Sequence, residues 1–273
     1  MNPSPAPQLF DRLLLKQRRN RSAGIIHKYD FLVQRAFDDI CDRLESVTRD
    51  FDKALIMGGG PGLVEMLETR HARSKIDWLV QSDLSPAITK RLGSSQANAA
   101  HLSLDEENLP FIDECLDLVI APMGLHWTND LPGALVQINR ALKPDGFFIG
   151  SILGGSTSTE LRQSLLAAET ELTEGANSRI SPFAGTFDMA SLLQRAGFAL
   201  PVTDVDRVTV RYDNAFALMA DLRGMAETSV LFDRPRTPAS RALFVRMAEI
   251  YAERFSDADG RIRATFEIIH LAG

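Results

Sequence analysis

The chain is poor in the groups that staple, anchor or oxidise. Its 273 residues include two cysteines, Cys41 and Cys115, too few for a disulfide framework or a cysteine metal cluster. Both are expected to be reduced, in a cytoplasm-like compartment. No apolar stretch is long enough to span a bilayer. Asp11 and Arg12 interrupt the apolar residues 9–15, so no signal core forms there. Cationic charge is also short: 30 Lys and Arg stand against 36 Asp and Glu, a formal net charge of −6. That balance argues against general nucleic-acid binding. The five histidines, His27, His71, His101, His126 and His270, form no His-x-Asp/Glu pair, and no haem or iron–sulfur spacing occurs. No metal site is therefore read from the sequence.

What is present is ordinary for a globular protein, with 45% hydrophobic and 24% charged residues. The length suits one large domain or two small ones. The basic residues Arg12, Lys16, Arg18, Arg19, Arg21 and Lys28 concentrate near the start. The cluster reads as a solvated helix face beside Leu9, Leu13 and Leu14, and residues 8–21 read as a basic helix. Contact with an acidic partner or a membrane surface is the alternative. Residues 1–7, with Pro3, Pro5 and Pro7, are expected to be poorly ordered.

Residues 54–64 organise the remainder. A short apolar run enters a glycine-dense turn at Gly58, Gly59, Gly60 and Gly62, and an apolar run leaves it. The pattern predicts strand, tight turn, helix, with a backbone free to approach a ligand. Asp83 follows a second apolar run, 83 − 62 = 21 residues after the last glycine. An acid so placed can bind ribose hydroxyls.

Strands and helices then alternate. Strands are expected at 53–57, 76–81, 99–104, 116–121 and 147–153, and helices at 63–70, 86–92 and 131–142, with a turn at Lys143-Pro144-Asp145-Gly146. Alternation of this kind predicts parallel strands with right-handed crossovers and a ligand outside their carboxyl ends. The glycine turn, Asp83, Asp105 and Met123 all follow such ends. A helix over 29–46 precedes the alternation. Beyond it, helices are expected at 157–174, 188–196, 214–226 and 238–254, and strands at 202–210 and 262–271.

These segments carry a resemblance. Residues 54–62, Asp83-Leu84-Ser85-Pro86, Asp105 with Leu109-Pro110-Phe111, Leu118-Val119 with Leu125-His126-Trp127, and Leu142-Lys143-Pro144-Asp145-Gly146 resemble the ordered motifs of class I S-adenosylmethionine (SAM)-dependent methyltransferases. The Leu-Pro-Phe, His-Trp and Lys-Pro-Asp-Gly segments separate them from dinucleotide-binding dehydrogenases. A narrower resemblance rests on Leu9-Phe10-Asp11-Arg12, residues 126–132, Glu160-Leu161-Arg162, Ala168-Glu169, Ser181-Pro182-Phe183, residues 195–198, residues 221–227, Asp259-Gly260 and Ala264-Thr265-Phe266. It is similar to the subfamily of the respiratory complex I assembly factor that hydroxylates a protein arginine. The malonyl-carrier-protein methyltransferases of biotin synthesis are more distant.

The resemblance implies an α/β, Rossmann-like, seven-stranded, mostly parallel sheet with an antiparallel last strand. Helices would cover both faces, with N-terminal helices and a helical insertion near the C-terminus in addition. Residues 1–50 would form a helical cover and 51–273 a SAM-binding domain with lid elements at about 157–174 and 214–256. Gly58, Gly60 and Gly62 match the turn near the methionine part of SAM, Asp83 the ribose acid, and Leu84 the adenine neighbour. Asp105 and Glu106 match the adenine edge, and Met123 the loop beside the sulfonium. The default reaction is methyl transfer, leaving S-adenosylhomocysteine. Arginine hydroxylation on a complex I subunit is the alternative, near the inner membrane surface and with a peripheral membrane contact left open.

His126 is the nearest residue able to act as a base for a hydroxyl or amine acceptor. Trp127 would wall the substrate pocket, and Arg162, Arg179 and Arg223 would hold an acidic substrate. One departure stands out: Ile56 occupies the position, two before the first glycine, where the superfamily usually has an acid. A non-catalytic relative with impaired SAM binding is therefore a second alternative.

Overall fold

The computed structural model describes residues 8–92, 99–173, 175, 177 and 179–273. The proline-rich start, Glu174 and Ser178 lie outside the described residues. Seven strands form one sheet: β1 (Phe51–Met57), β2 (Ile76–Asp83), β3 (Ala99–Ser103), β4 (Leu116–Pro122), β5 (Leu142–Leu153), β6 (Val202–Tyr212) and β7 (Ile262–Ala272). Their spatial order is β3-β2-β1-β4-β5-β7-β6. The first five pair in parallel. Strand β7 is antiparallel to both neighbours, so the expected antiparallel last strand inserts between β5 and β6. The chain winds outward from β1 to β3, then returns to place β4 on the other side of β1. That reversal opens a crevice at the carboxyl ends of β1 and β4.

Strand periodicity separates the two faces. Ala54, Ile56, Leu118 and Ile120 meet Phe37, Ile40, Leu63 and Leu67. These come from α2 (Phe31–Ser46) and α3 (Leu63–Glu68). Leu55, Met57, Val119 and Ala121 face the other way, towards Leu135, Ile138, Met189 and Leu193. Those belong to α5 (Leu131–Ala141) and α7 (Thr186–Arg195). A third core forms where α6 (Thr159–Leu172), α8 (Ala215–Gly224) and α9 (Arg241–Phe255) pack on Ala264, Phe266 and Ile268 of β7. The helices α1 (Arg12–Ser22) and α4 (Pro86–Thr89) complete the set among the described residues. The Ser85 side chain caps α4, accepting from Ile88 N at 3.1 Å with Pro86 in the first turn. This helix ends at Thr89, short of the expected Leu92.

The Lys-Pro-Asp-Gly stretch does not separate helix from strand; it lies inside β5. Leu142 pairs with Leu116 and Phe147 with Leu118, so residues 143–146 bulge opposite Asp117. Asp145 takes φ 62° there, and Lys143 Nζ reaches both Asp117 oxygens at 2.9 Å.

Candidate cofactor and acceptor site

The turn after β1 is built from the strand beside it. Gly58 N donates to Ser82 O at 2.9 Å, Gln81 Nε2 donates to Gly60 O at 2.9 Å, and Ser82 Oγ donates to Ile56 O at 3.1 Å. Gly58, Gly59, Gly60 and Gly62 all have φ between 80° and 92°. Gly59 has a steric reason as well: a Cβ there would collide with Leu63 Cδ1 and lie 2.9 Å from Pro122 Cγ. The turn is therefore packed against the end of β4. Ile56 is fully buried in the core, with its side chain away from the crevice.

Asp83 ends β2 with its side chain 0% exposed. Its Oδ1 accepts from Arg19 Nε at 3.1 Å and Ser85 N at 2.8 Å, and Oδ2 accepts from Arg19 Nη2. Arg12 Nη2 donates to Asp105 Oδ1 at 2.7 Å and to Glu106 Oε2. Burial opposes the Arg19 charge, but Asp83 more than offsets it and holds the guanidinium protonated. Burial pushes the Glu106 carboxyl up, and Arg12 opposes this only in part. Leu84 is buried with Phe10, Leu15, Trp127, Val230 and Leu231.

The reading of α1 as a solvated basic face is thus corrected. Arg12 and Arg19 side chains are 13% and 11% exposed, whereas Leu13 is 74% exposed. The cations turn inward because buried carboxylates at the strand ends require partners.

On the β4 side, Met123 has φ 54° and its N donates to Ser151 O at 2.9 Å. A 3₁₀ turn, Leu125–Trp127, then aims two N–H groups at one carboxylate. His126 Nε2 lies 3.1 Å, and Trp127 Nε1 3.0 Å, from Glu227 Oε2. The His126 side chain is 1% exposed and its Nδ1 has no hydrogen-bond partner. Glu227, not His126, faces open space. It lines a cavity with Arg19, Asp30, Gly59, Met123 and Phe266. It also lines an adjoining groove with Arg18, Leu161, Arg179, Met219, Arg223 and Phe244.

The expected arginines separate. Arg179 and Arg223 reach the groove. Arg179 is paired with Glu169 at 2.6 Å, and Arg223 is exposed. Arg162 instead braces the loop after β5, donating to Gly155 O at 3.5 Å and Thr157 O at 3.4 Å. Arg18 takes its place at the groove, donating to Thr228 O at 2.6 Å and to Ser229 O. Sequence reasoning missed Glu227 as a site residue. It closes the 221–227 segment quoted for the family resemblance, but it stands 100 residues from its partner Trp127. Among the described residues, no group of three or more His, Cys, Asp or Glu is arranged to hold a metal.

The geometry agrees with the relatives found. The methyltransferase-domain family model matches residues 55–150. A Rattus norvegicus protein named mitochondrial arginine-hydroxylase NDUFAF5 is 38% identical over 270 residues, covering 98% of this chain and 78% of that one. A malonyl-[acyl-carrier protein] O-methyltransferase from Halorhodospira halophila is 28% identical, with 99% and 90% covered. The crystal structure of Bacillus subtilis YcgJ has a TM-score of 0.60 at 14% identity, covering 88% of this chain and 97% of that one, a likeness of fold. With a methyltransferase domain at its centre and a relative of this similarity along nearly its whole length, the chain belongs to the NDUFAF5 family of methyltransferase-fold proteins.

Proposed function

We propose that the chain binds SAM in the crevice between β1 and β4 and directs its methyl group to an acceptor in the adjoining groove. One observation carries this. The glycine turn, Asp83, Asp105, Glu106 and Met123 converge on one rim, where the strand order reverses. In that reading Gly58, Gly60 and Gly62 admit the methionine part, and Asp83 binds the ribose. Leu84 lies by the adenine, Asp105 and Glu106 meet its edge, and Met123 flanks the sulfonium. When bound, SAM supplies a methyl group already activated by positive sulfur. The chain's task is then alignment and exclusion of water. The described residues of 1–50 act as a cover, and those of about 157–174 and 214–256 as lid elements, over the domain assigned to 51–273.

The residues suit this ligand in number and kind. Asp30 and Glu227 place carboxylates at the cavity beside Gly59, where Ile56 supplies none. Arg19 must yield Asp83 before the ribose can use it.

Calorimetry with S-adenosylhomocysteine tests the reading. Binding by the wild type is expected, with a loss of about tenfold or more in Asp83→Asn, as for a charge-assisted hydrogen bond. No binding at millimolar ligand rejects it. The name of the rat relative supports a second reaction, hydroxylation of a protein arginine. The segments shared with the complex I assembly subfamily support a respiratory subunit as substrate. A mass gain of about 14 on a protein substrate marks a methyl group, and about 16 an oxygen atom. The rat relative is named mitochondrial, which favours a site near the inner membrane. No helix among the described residues is long and apolar enough to cross one.

A further inference from the structure

Three loops meet around a small space beside the groove. The 3₁₀ turn brings Trp127, the loop from α6 to α7 brings Ser181 and Phe183, and the loop from α8 to α9 brings Glu227 and Ser229. They line a cavity of about 30 Å³, walled also by Leu153, Ile180 and Leu222. Ile180, Leu222, Glu227 and Ser229 line the groove as well, so the cavity is an end chamber of that groove. Ser181 is 2% exposed, and its Oγ and the Ser229 Oγ are buried with no hydrogen-bond partner among the described residues. Their polar neighbours are taken. Thr157 Oγ1 accepts from Glu267 N at 3.0 Å and donates to Glu267 O at 3.2 Å, while Glu227 Oε2 serves His126 and Trp127. A buried hydroxyl left without a partner is costly, so two of them lining one chamber mark a place for a hydrogen-bonding group.

Both serines are fastened through their neighbours. Just before Ser181, Asn177 N and Arg179 Nε donate to the buried Glu169 carboxylate at 2.9 and 2.8 Å. Around Ser229, Arg18 donates to Thr228 O and Ser229 O, and Asp11 N donates to Val230 O at 2.8 Å. Groups held in place before a ligand arrives lose less freedom when it binds.

We propose that the chamber seats the uncharged tip of the molecule lying in the groove, a group that both donates and accepts, with a primary carboxamide as the match. That this molecule is the methyl acceptor rests on the reading above; the chamber's preference does not. The volume admits roughly two water-sized atoms, and a carboxamide ends in two, one oxygen and one nitrogen. The oxygen accepts from one serine hydroxyl, and the nitrogen donates to the other. An ammonium tip only donates, so neither serine hydrogen finds an acceptor on it. A carboxylate only accepts, and it would lie against the Glu227 carboxylate. The apolar floor of the groove, Leu161, Leu165, Met219 and Phe244, suits an aliphatic stem behind the tip.

The experiment uses the full chain with three probes that share a stem and differ at the tip: hexanamide, hexanoate and hexylammonium. Binding is read by calorimetry, with and without S-adenosylhomocysteine. Hexanamide is expected to bind about tenfold or more tightly than either charged probe, as pairing of both hydroxyls requires. Ser181→Ala and Ser229→Ala are each expected to weaken hexanamide and to reduce that preference. Equal affinities, a preference for a charged tip, no binding of hexanamide at millimolar concentration, or a preference unchanged in both variants overturns the proposal. A chamber that holds ordered water alone gives the first or third of these results. The comparison within the wild type does not depend on how either variant folds. A wild type that selects hexanamide but does not bind S-adenosylhomocysteine rejects the cofactor reading and keeps the chamber. The converse rejects the chamber alone.

Discussion

Gly59 shows why an unusual residue can stand in a motif. Its neighbours leave no room for a methyl group, and its φ of 80° disfavours any side chain. Gly59→Ala is expected to destabilise the chain by about 2 kcal/mol or more, measured by urea unfolding. Arg19 presents the electrostatic counterpart. Arg19→Gln leaves Asp83 buried without its cation, at an expected cost of about 3 kcal/mol near neutral pH. Adding Asp83→Asn should recover part of that loss, because the two side chains act as a pair. Neither arginine's role was legible in the sequence: a basic helix near the start is most economically solvated. The glycines, Asp83 and Met123 were legible as residues at strand ends, because each follows an apolar run directly. Glu227 was not, since its partners come from a different strand end far away in sequence.

Among the elements, β5 and β7 are instructive. Lys-Pro-Asp-Gly has the composition of a turn, and Asp145 does adopt a left-handed backbone. Yet the pairing of Leu142 with Leu116 carries the strand across it, so turn chemistry becomes a bulge. Local signals specify the kink, and only tertiary pairing decides that the strand continues. The long apolar run of β4 had no such competitor and was read correctly.

Strand β7 buries a histidine whose titration should register in stability. The His270 side chain is 4% exposed, with Nδ1 3.1 Å from Asp39 Oδ2. Burial pushes its pKa below 6.5, and Asp39 restores it only in part. The unfolded chain therefore takes up a proton that the folded chain resists. The resulting cost is absent well above pH 6.5, begins as the pH falls through that value, and is complete below the depressed folded pKa. Urea unfolding at about pH 7.5 and about pH 5.5 should show a larger drop in the wild type than in His270→Gln.

Across the whole molecule, the N-terminal segment ties distant regions together. Phe10 bridges to Leu231, Asp11 N donates to Val230 O at 2.8 Å, and Phe10 meets the Trp127 ring edge-on at 5.3 Å. Ser22 Oγ donates to Arg223 O at 3.2 Å, and Gly224 has no side chain because the Tyr29 ring occupies that space. Removing residues 1–22 should speed amide exchange over 228–232 and shift Trp127 emission to the red, read by hydrogen exchange and fluorescence. The alternation of strands and helices was visible in sequence periodicity, and the seven-stranded sheet with its antiparallel last strand followed from the family resemblance. The attachment of this segment was not, because it depends on contacts with Trp127, Arg223, Val230 and Leu231, all far from it in sequence.

Helix α1 has one more consequence. Arg18 and Arg19 are consecutive on one rigid helix, so their side chains diverge by about 100°. One reaches the groove, and the other holds the acid at the end of β2. A ligand at either place that displaces α1 disturbs the arginine serving the other. Such a link is reciprocal: if a ligand in the groove changes the affinity for S-adenosylhomocysteine by some factor, the reverse titration must return the same factor. A helix read from the sequence as a solvated basic face within an N-terminal cover would then act as a lever, making the two occupancies report on each other.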